Sequence, residues 1–413
     1  MAANTIFLNV NINGCGINQD HMQLRPKRNF SVSSAAPPQA LHMPRLPQRK
    51  DSNKNTFAGD VLKSSTKIIN NSTRLVLKYR AEAVEVADLN NASVHEEIKL
   101  VEEEELSRAT LLWRAAKIPL YSVALVPATV ASALAFWQTG QAALGRYFMI
   151  LASFVIVNIW IKLSNDVYDF DTGADKNKKE SVVNIFGSRN AINYAAWTIL
   201  AIGFSGFTGL AVAAKSVRAF ILVAASVFCF YIYQCPPYRV AYDGLGEPTL
   251  FTGFGPLATI GFYLLHSTAR GELPISNTVV WSSILVGYTT TLILFCSHFH
   301  QIEDDKAVGK MSPLVRLGTK KASKVLQYGV VGLYALLFGL GYTNTIPLAS
   351  VIFGSMTLPI ANLLLGFVQK NYENKVKLFK TKYFCVGLHT LLGLAVSAGL
   401  VLARILARQP VAL

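Results

Sequence analysis

The sequence predicts an all-α fold: a multi-span transmembrane helix bundle of about nine helices, arranged as two pseudo-repeated four-helix units plus one. Three observations predict it. Long uncharged windows recur from Ile118 onward, each close to the ~20 residues that cross a bilayer. Only 15% of the residues are charged and the mean hydropathy is +0.35, against a charged fraction of ~25% in an ordinary soluble domain. Finally, two acidic stretches of similar make-up follow two of the windows, with Asp169 and Asp305 separated by 136 residues, about one four-helix unit. The net charge of +15 would suggest nucleic acid as the partner of a soluble chain. Here the basic residues sit between apolar spans, so the lipid bilayer is the expected partner and nucleic acid is not. The five cysteines form no CxxC pair, which leaves no disulfide framework and no zinc site to expect.

Residues 1–50 hold one acid, Asp20, against six basic residues, with frequent Ser, Asn and Pro and no apolar signal core. That composition reads as an organelle transit peptide, placed at 1–60 with its cleavage point open. Residues 61–107 include Glu96, Glu97 and the run Glu102 to Glu105, and read as an acidic soluble linker.

Spans are expected near 118–138, 142–163, 191–214, 218–236, 249–267, 278–299, 325–342, 346–368 and 384–403. The long uncharged window after 325 is split at Gly341 to Pro347, a turn signal. The loops after the second, fourth, sixth and eighth spans hold most of the loop lysine and arginine. The positive-inside bias therefore sets these loops, the acidic ones among them, on the side of synthesis, which in a plastid is the stroma.

The first acidic stretch, Lys162 to Glu180, reads KLSNDVYDFDTGADKNKKE and comes straight off the second span. Carboxylates at membrane depth are costly and call for a cation or a function. Asp166 and Asp169 are three apart and share a face if the helix continues. Asp175 returns from a loop that Gly173 allows to bend. Such a set suits Mg²⁺, which takes one or two carboxylates, keeps waters and favours phosphate as its other ligand. Read alone, the stretch is equally a solvated charged loop. The second stretch, HFHQIEDDKAVGKMSPLVRLGT, residues 298–319, carries Glu303, Asp304 and Asp305, then Lys306, Lys310 and Arg316. Two pseudo-repeats packed together would set the two clusters across one cavity. Opposed carboxylates could then hold Mg²⁺ on a diphosphate, while the cations take the remaining phosphate oxygens.

These residues resemble a family. NDVYDFDTGADK is similar to the first motif of UbiA-type intramembrane prenyltransferases, Asn-Asp-x-x-Asp with a further Asp, falling on Asn165, Asp166, Asp169 and Asp175. IEDDKAVGKMSPLVRLGT resembles the second motif, and its tail, Gly309-Lys310 through Arg316-Leu317-Gly318, is that of the 1,4-dihydroxy-2-naphthoate branch. Trp113 to Pro119 and Tyr233 to Arg239, running into Gly244 to Glu247, fit the same branch. The resemblance covers about residues 108–408 and, with the N-terminal segment, points to the plastid, phytyl-transferring members of plants.

The resemblance implies Mg²⁺-dependent transfer of a phytyl group from phytyl diphosphate to 1,4-dihydroxy-2-naphthoate or 2-carboxy-1,4-naphthoquinone, giving the phylloquinone precursor in a chloroplast envelope or thylakoid membrane. It implies catalytic roles for Asp166, Asp169, Asp305 and Lys310. Metal ligands would be Asp166, Asp169, Asp175, Glu303 and Asp305. Substrate contacts would come from Asn165, Arg114, Lys117, Tyr233, Arg239, His300, Gln301 and Arg316. The usual second motif is Asp-x-x-x-Asp, and its first Asp falls on Gln301 here. Glu303 or Asp304 takes over that role, or Gln301 contributes an amide oxygen. Asp171 has no assigned part. Other members of the superfamily, a homogentisate phytyltransferase or a chlorophyll synthase, are the near alternatives. A secondary transporter is the alternative from another class, against which stands the position of both clusters at span ends on one side.

Overall fold

The computed structural model describes residues 111, 121–174, 181–268 and 271–408. The segments 1–60 and 61–107, together with Arg114, Lys117 and Asp175, lie outside the described residues. Among the described residues every regular element is helical, and eight helical stretches are long and apolar enough to cross a membrane.

The first two are α1 (Ser122–Thr139) and α2 (Leu144–Thr172). The span expected to stop at 163 thus runs nine residues further, carrying the acidic motif on its last turns. Nothing in NDVYDFDT breaks a helix, so propagation continues until a residue prefers another conformation. Gly173 does so, closing the helix at a left-handed φ of 82° and donating its N–H to the Phe170 carbonyl. A short turn, α3 (Val182–Phe186), leads to α4 (Arg189–Ala214) and α5 (Val217–Gln234). Ser188 and Ser216 cap these two helices by accepting the N–H of Ala191 and Ala219.

The expected fifth span is broken. It comprises α6 (Gly246–Thr252), a π-helical turn Gly253–Thr259 and α7 (Ile260–Leu264). Pro256 lies inside the π turn; it has no N–H to donate, and its ring would strike the carbonyl four residues back in a regular α-helix. Widening the turn relieves both. The π turn packs closely on α8 (Asn277–His298): a Cβ on Gly255 would stand 2.7 Å from the Gly287 Cα. Small residues at such crossings let two backbones touch.

After α9 (Ile302–Ala307), α10 (Pro313–Tyr342) starts twelve residues before the expected 325. Pro313 at the first position suits a helix start, and the chain breaks once at Gly318, at φ 72° and ψ 161°. Beyond it, Ala322, Leu326, Val330, Leu333 and Leu337 are buried while Lys320, Lys321 and Lys324 are exposed, an amphipathic register. The chain closes with α11 (Leu348–Ser355), α12 (Leu358–Asn371), α13 (Lys375–Leu378) and α14 (Thr381–Arg408). An aromatic knot of Phe154, Phe207, Phe230, Phe254 and Phe262 joins α2, α4, α5, the π turn and α7. Phe230 and Phe254 meet at 4.5 Å between ring centres, and both also wall the cavity described next.

Candidate active site

One face of α2 lines a cavity of about 280 Å³ with Asn158, Ile161, Lys162, Asn165 and Asp169. These positions follow the 3.6-residue period, so a single helix delivers a cation, two amides and a carboxylate to one wall. Asp166, about 100° round from Asn165, is not part of that lining. It is fully buried; Lys162 donates to one carboxylate oxygen and the backbone N–H of Val182 to the other, at 3.0 Å. Asp166 therefore anchors the return of the chain to α3. Asp171, unassigned from sequence, receives both Nε and a terminal nitrogen of Arg189 at 3.1 and 2.7 Å, tying α2 to α4.

The second motif builds the opposite wall. Gln301, at the cavity, precedes α9, and the Asp305 N–H donates to its carbonyl at 2.7 Å. Asp305 is buried. Gly309, at φ 75°, folds the chain back so that the Lys310 ammonium reaches Asp305 Oδ1 at 3.3 Å. Oδ2 of Asp305 is buried with no hydrogen-bond partner. Glu303 and Asp304 are turned to the surface, where Lys375 meets them at 3.1 and 3.6 Å. Of the three residues the motif left open, Gln301 is the one at the cavity. Glu303, expected as a metal ligand, has its side chain 80% exposed, because the helical period sets 301 and 305 together and 303 opposite.

Tyr242 shows that the motifs converge. Its hydroxyl shares a hydrogen bond of 3.0 Å with Thr172 at the end of α2. Burial pushes its phenol pKa up, and the fields of Asp169 and Asp305 add in the same direction. The loop that carries it, 235–245, is clamped onto the second motif. Met311 donates its N–H to the Tyr242 carbonyl at 2.8 Å, and Arg316 donates to the carbonyls of Asp243 and Met311 at 2.7 and 3.1 Å. Gly244, at φ 79°, fits where a Cβ would come within 2.7 Å of the Met311 carbonyl oxygen. Arg316, expected as a phosphate contact, is thus engaged by backbone. Arg239, expected likewise, sits with its guanidinium 5.8 Å from the Tyr168 ring centre. Neither lines the cavity, whereas Tyr233 does.

Two groups at the cavity were missed as site residues. Lys382 is 8% exposed, lines the cavity and lays its ammonium 3.8 Å from the Phe379 ring centre. A lysine between Phe379 and Tyr383 was the available signal, obscured because the last span was expected to begin at 384. The second is His298, whose Nδ1 meets Glu247 Oε1 at 3.2 Å. His300, the histidine expected at the substrate, instead packs its ring edge-on to Phe379 at 4.9 Å.

No group of three or more His, Cys, Asp or Glu placed to hold a metal occurs among the described residues. The donor set is two carboxylates, Asp169 and Asp305, with one carboxylate oxygen of Asp305 left open. That fits Mg²⁺, which needs only one or two protein carboxylates beside phosphate and water.

The sequence was compared with known proteins. A family model described as the UbiA prenyltransferase family matches residues 124–388. The chain belongs to the UbiA prenyltransferase family. This UbiA protein is accordingly an enzyme that transfers prenyl groups. It is 52% identical over 308 residues to the chloroplastic 2-carboxy-1,4-naphthoquinone phytyltransferase of Arabidopsis thaliana, covering 74% of this chain and 81% of that one. It is 40% identical over 290 residues to the phytyltransferase of the same name from Synechocystis, covering 70% and 92%. The apo structure of a UbiA homolog from Aeropyrum pernix shares the fold at a TM-score of 0.52 and 15% identity, over 67% of this chain and 96% of its own. Both acidic motifs lie inside the UbiA match.

Proposed function

We propose that this chain transfers a phytyl group from phytyl diphosphate to a carboxylated 1,4-naphthoquinone or its dihydroxy form, in a plastid membrane. The observation that carries the reading is the meeting of Asp169 with Gln301 and Lys310 in one cavity that Val123, Phe230, Leu250, Phe254, Ile293 and Leu294 also line. The names of the plant and cyanobacterial relatives support the choice of donor and acceptor. Asp169 and Asp305 hold Mg²⁺, with Asp175 completing the first motif and Asp166 fixing the end of α2 beside them. When bound, Mg²⁺ supplies neutralising charge to the leaving diphosphate.

The residues of the chain do the rest. Lys162 and Lys310 bring two ammonium groups to the polar end of the cavity, where they meet phosphate oxygens. Asn165 and Gln301 orient the diphosphate by hydrogen bonds. Tyr233, Phe230 and Phe254 present ring faces to the developing allylic cation, a contact worth roughly 0.5–2 kcal/mol. Val123, Leu250 and Ile293 keep water from that cation, which would otherwise be hydrolysed. Arg114 and Lys117 belong with the acceptor's carboxylate. Residues 1–60 serve as transit peptide, 61–107 as linker and 108–408 as the membrane domain, with the acidic motifs on the stromal side.

The test is a prenyl-transfer assay in membranes, with Mg²⁺ supplied or chelated. Phytyl diphosphate is offered with the naphthoate in either redox form, or with homogentisate. Mg²⁺-dependent phytylation of the naphthoate alone is expected. Product only from homogentisate would overturn the acceptor and keep the fold.

A further inference from the structure

A second pair of ionisable groups lies where α8 runs into the second motif: His298 lines the cavity three residues before Gln301, and Glu247 stands against it. His298 ends α8 and is 3% exposed; Glu247, in the first turn of α6, is 8% exposed. Helices that cross a membrane do not bury such a pair without cost. Nδ1 of His298 meets Glu247 Oε1 at 3.2 Å, and the other carboxylate oxygen, Oε2, is buried with no hydrogen-bond partner. A carboxylate bonded to one ring nitrogen fixes the tautomer: Nδ1 carries the hydrogen and Nε2 the lone pair. The ring lines the cavity, and among the described residues no protein group hydrogen-bonds Nε2. An acceptor lone pair is therefore held in the wall of the site, with the Glu247 carboxyl group behind the ring. A histidine arranged this way takes a proton from a hydroxyl and is stabilised when charged.

We propose that His298 is the base that takes the hydroxyl proton of the aromatic acceptor, that Glu247 is its positioning residue, and that the enzyme consequently uses the reduced, dihydroxy form. The inference rests on the acceptor reading above and deepens it. The step balances without an external oxidant or reductant. The ring O–H proton passes to Nε2, and the oxygen pair feeds into the ring. The carboxyl-bearing carbon forms its bond to the allylic carbon of the donor, whose C–O bond breaks with the electron pair leaving on diphosphate. Carbon dioxide departs from the same ring carbon and returns its electron pair to the ring. Nε2 then gives the proton back to the oxygen. A quinone offers no such hydroxyl, so the dyad would have nothing to act on.

The test uses the full chain in membranes under anaerobic conditions, with phytyl diphosphate and the naphthoate held fully reduced or fully oxidised. Wild type, His298→Ala and Glu247→Gln are compared, each with and without added imidazole. Wild type is expected to turn over the reduced acceptor at least 100-fold faster than the oxidised one. His298→Ala should lose about 10²–10⁴-fold in kcat, keep the donor KM, and recover at least tenfold with imidazole. A misfolded variant has no pocket for imidazole to rescue, so recovery reports chemistry and not folding. Glu247→Gln keeps the volume and should lose about 10–100-fold in kcat at constant donor KM. Equal use of the oxidised acceptor by wild type overturns the proposal. So does His298→Ala activity within threefold of wild type, or a loss that imidazole leaves untouched while Glu247→Gln stays at the wild-type rate. If wild type instead phytylates only homogentisate, the acceptor reading fails, and the same loss and rescue measured on homogentisate decide the dyad separately.

Discussion

Lys310 holds one oxygen of Asp305 at 3.3 Å and leaves the other buried without a partner. The lysine thus fixes the orientation of the carboxylate and leaves its second oxygen open to a cation. Asp305→Asn should abolish turnover. Lys310→Gln should cost about 10²-fold in kcat/KM, the scale of one lost electrostatic contact to a developing charge. Both are read by prenyl transfer in membranes. A Lys310→Gln enzyme with full activity would remove the lysine from the leaving-group site.

The two carboxylates of the first motif differ in what they touch. Asp169 faces the cavity, so Asp169→Asn should lose activity with a smaller loss of thermal stability than Asp166→Ala. Asp166→Ala strips Lys162 of its partner and Val182 of its acceptor. It should lose activity and also on the order of 3 kcal/mol of stability, as for a broken buried pair, read as a lower unfolding midpoint in detergent. Equal melting of the two variants would contradict this division.

On the second motif, Glu303→Ala should keep near-wild-type turnover and the wild-type Mg²⁺ requirement, because an exposed ion pair with Lys375 contributes ~1 kcal/mol or less. Gln301→Ala, at the cavity wall, should raise the donor KM at least tenfold. Mg²⁺ titrations of the two variants distinguish them, and a shifted Mg²⁺ requirement in Glu303→Ala would restore that residue as a ligand.

Gly287→Ala places a methyl group 2.6 Å from the Phe251 carbonyl oxygen. Backbone cannot yield as a flexible side chain does, so the variant should lose about 1–3 kcal/mol of stability. Gly366→Ala, where a Cβ meets nothing within 4 Å, is the control and should melt as wild type.

Cys235 lies just beyond α5, and burial pushes its thiol pKa up to about 12. The raised value keeps the proton on sulfur throughout neutral and mildly alkaline pH, and the reactive thiolate forms only as pH approaches 12. Alkylation of Cys235 at pH 8 should therefore be slow in the native enzyme and rise only on unfolding, as mass spectrometry would read. Rapid native labelling would show the thiol to be open to solvent.

Hydropathy made the bundle legible, because a bilayer demands long apolar runs whatever their partners. It could not set the ends. The second helix overran its apolar window because acidic residues without Gly or Pro still propagate a helix, and α10 began early because lysines on its outer face read as a loop. Of the residues the motifs named, Asp169, Gln301 and Lys310 line one cavity, and Asp305 is bonded to Lys310. What spacing alone could not give is which side of a turn each residue takes. Asp166 was paired with Asp169 by their separation, yet Asn165 and Lys162 share the cavity face. His298 was passed over for His300 because its partner, Glu247, is distant in sequence and lies on a helix whose packing no pattern revealed. Arg316, expected at phosphate, donates to the carbonyls of Asp243 and Met311, a loop contact that spacing does not disclose.

The π turn at Gly253–Thr259 also bears on how such a site can be remodelled. A wide turn stores one surplus residue, so the helical phase upstream is independent of the phase downstream. Phe254, inside the turn, walls the cavity, while Phe262, beyond it, is held against Phe154 and Phe207. A single insertion or deletion in this turn would then reshape the lipid-chain channel without moving the rest of the bundle. Chain-length preference could in this way drift between descendants of one ancestral enzyme by changes in residue number, leaving every charged group of the reaction where it was.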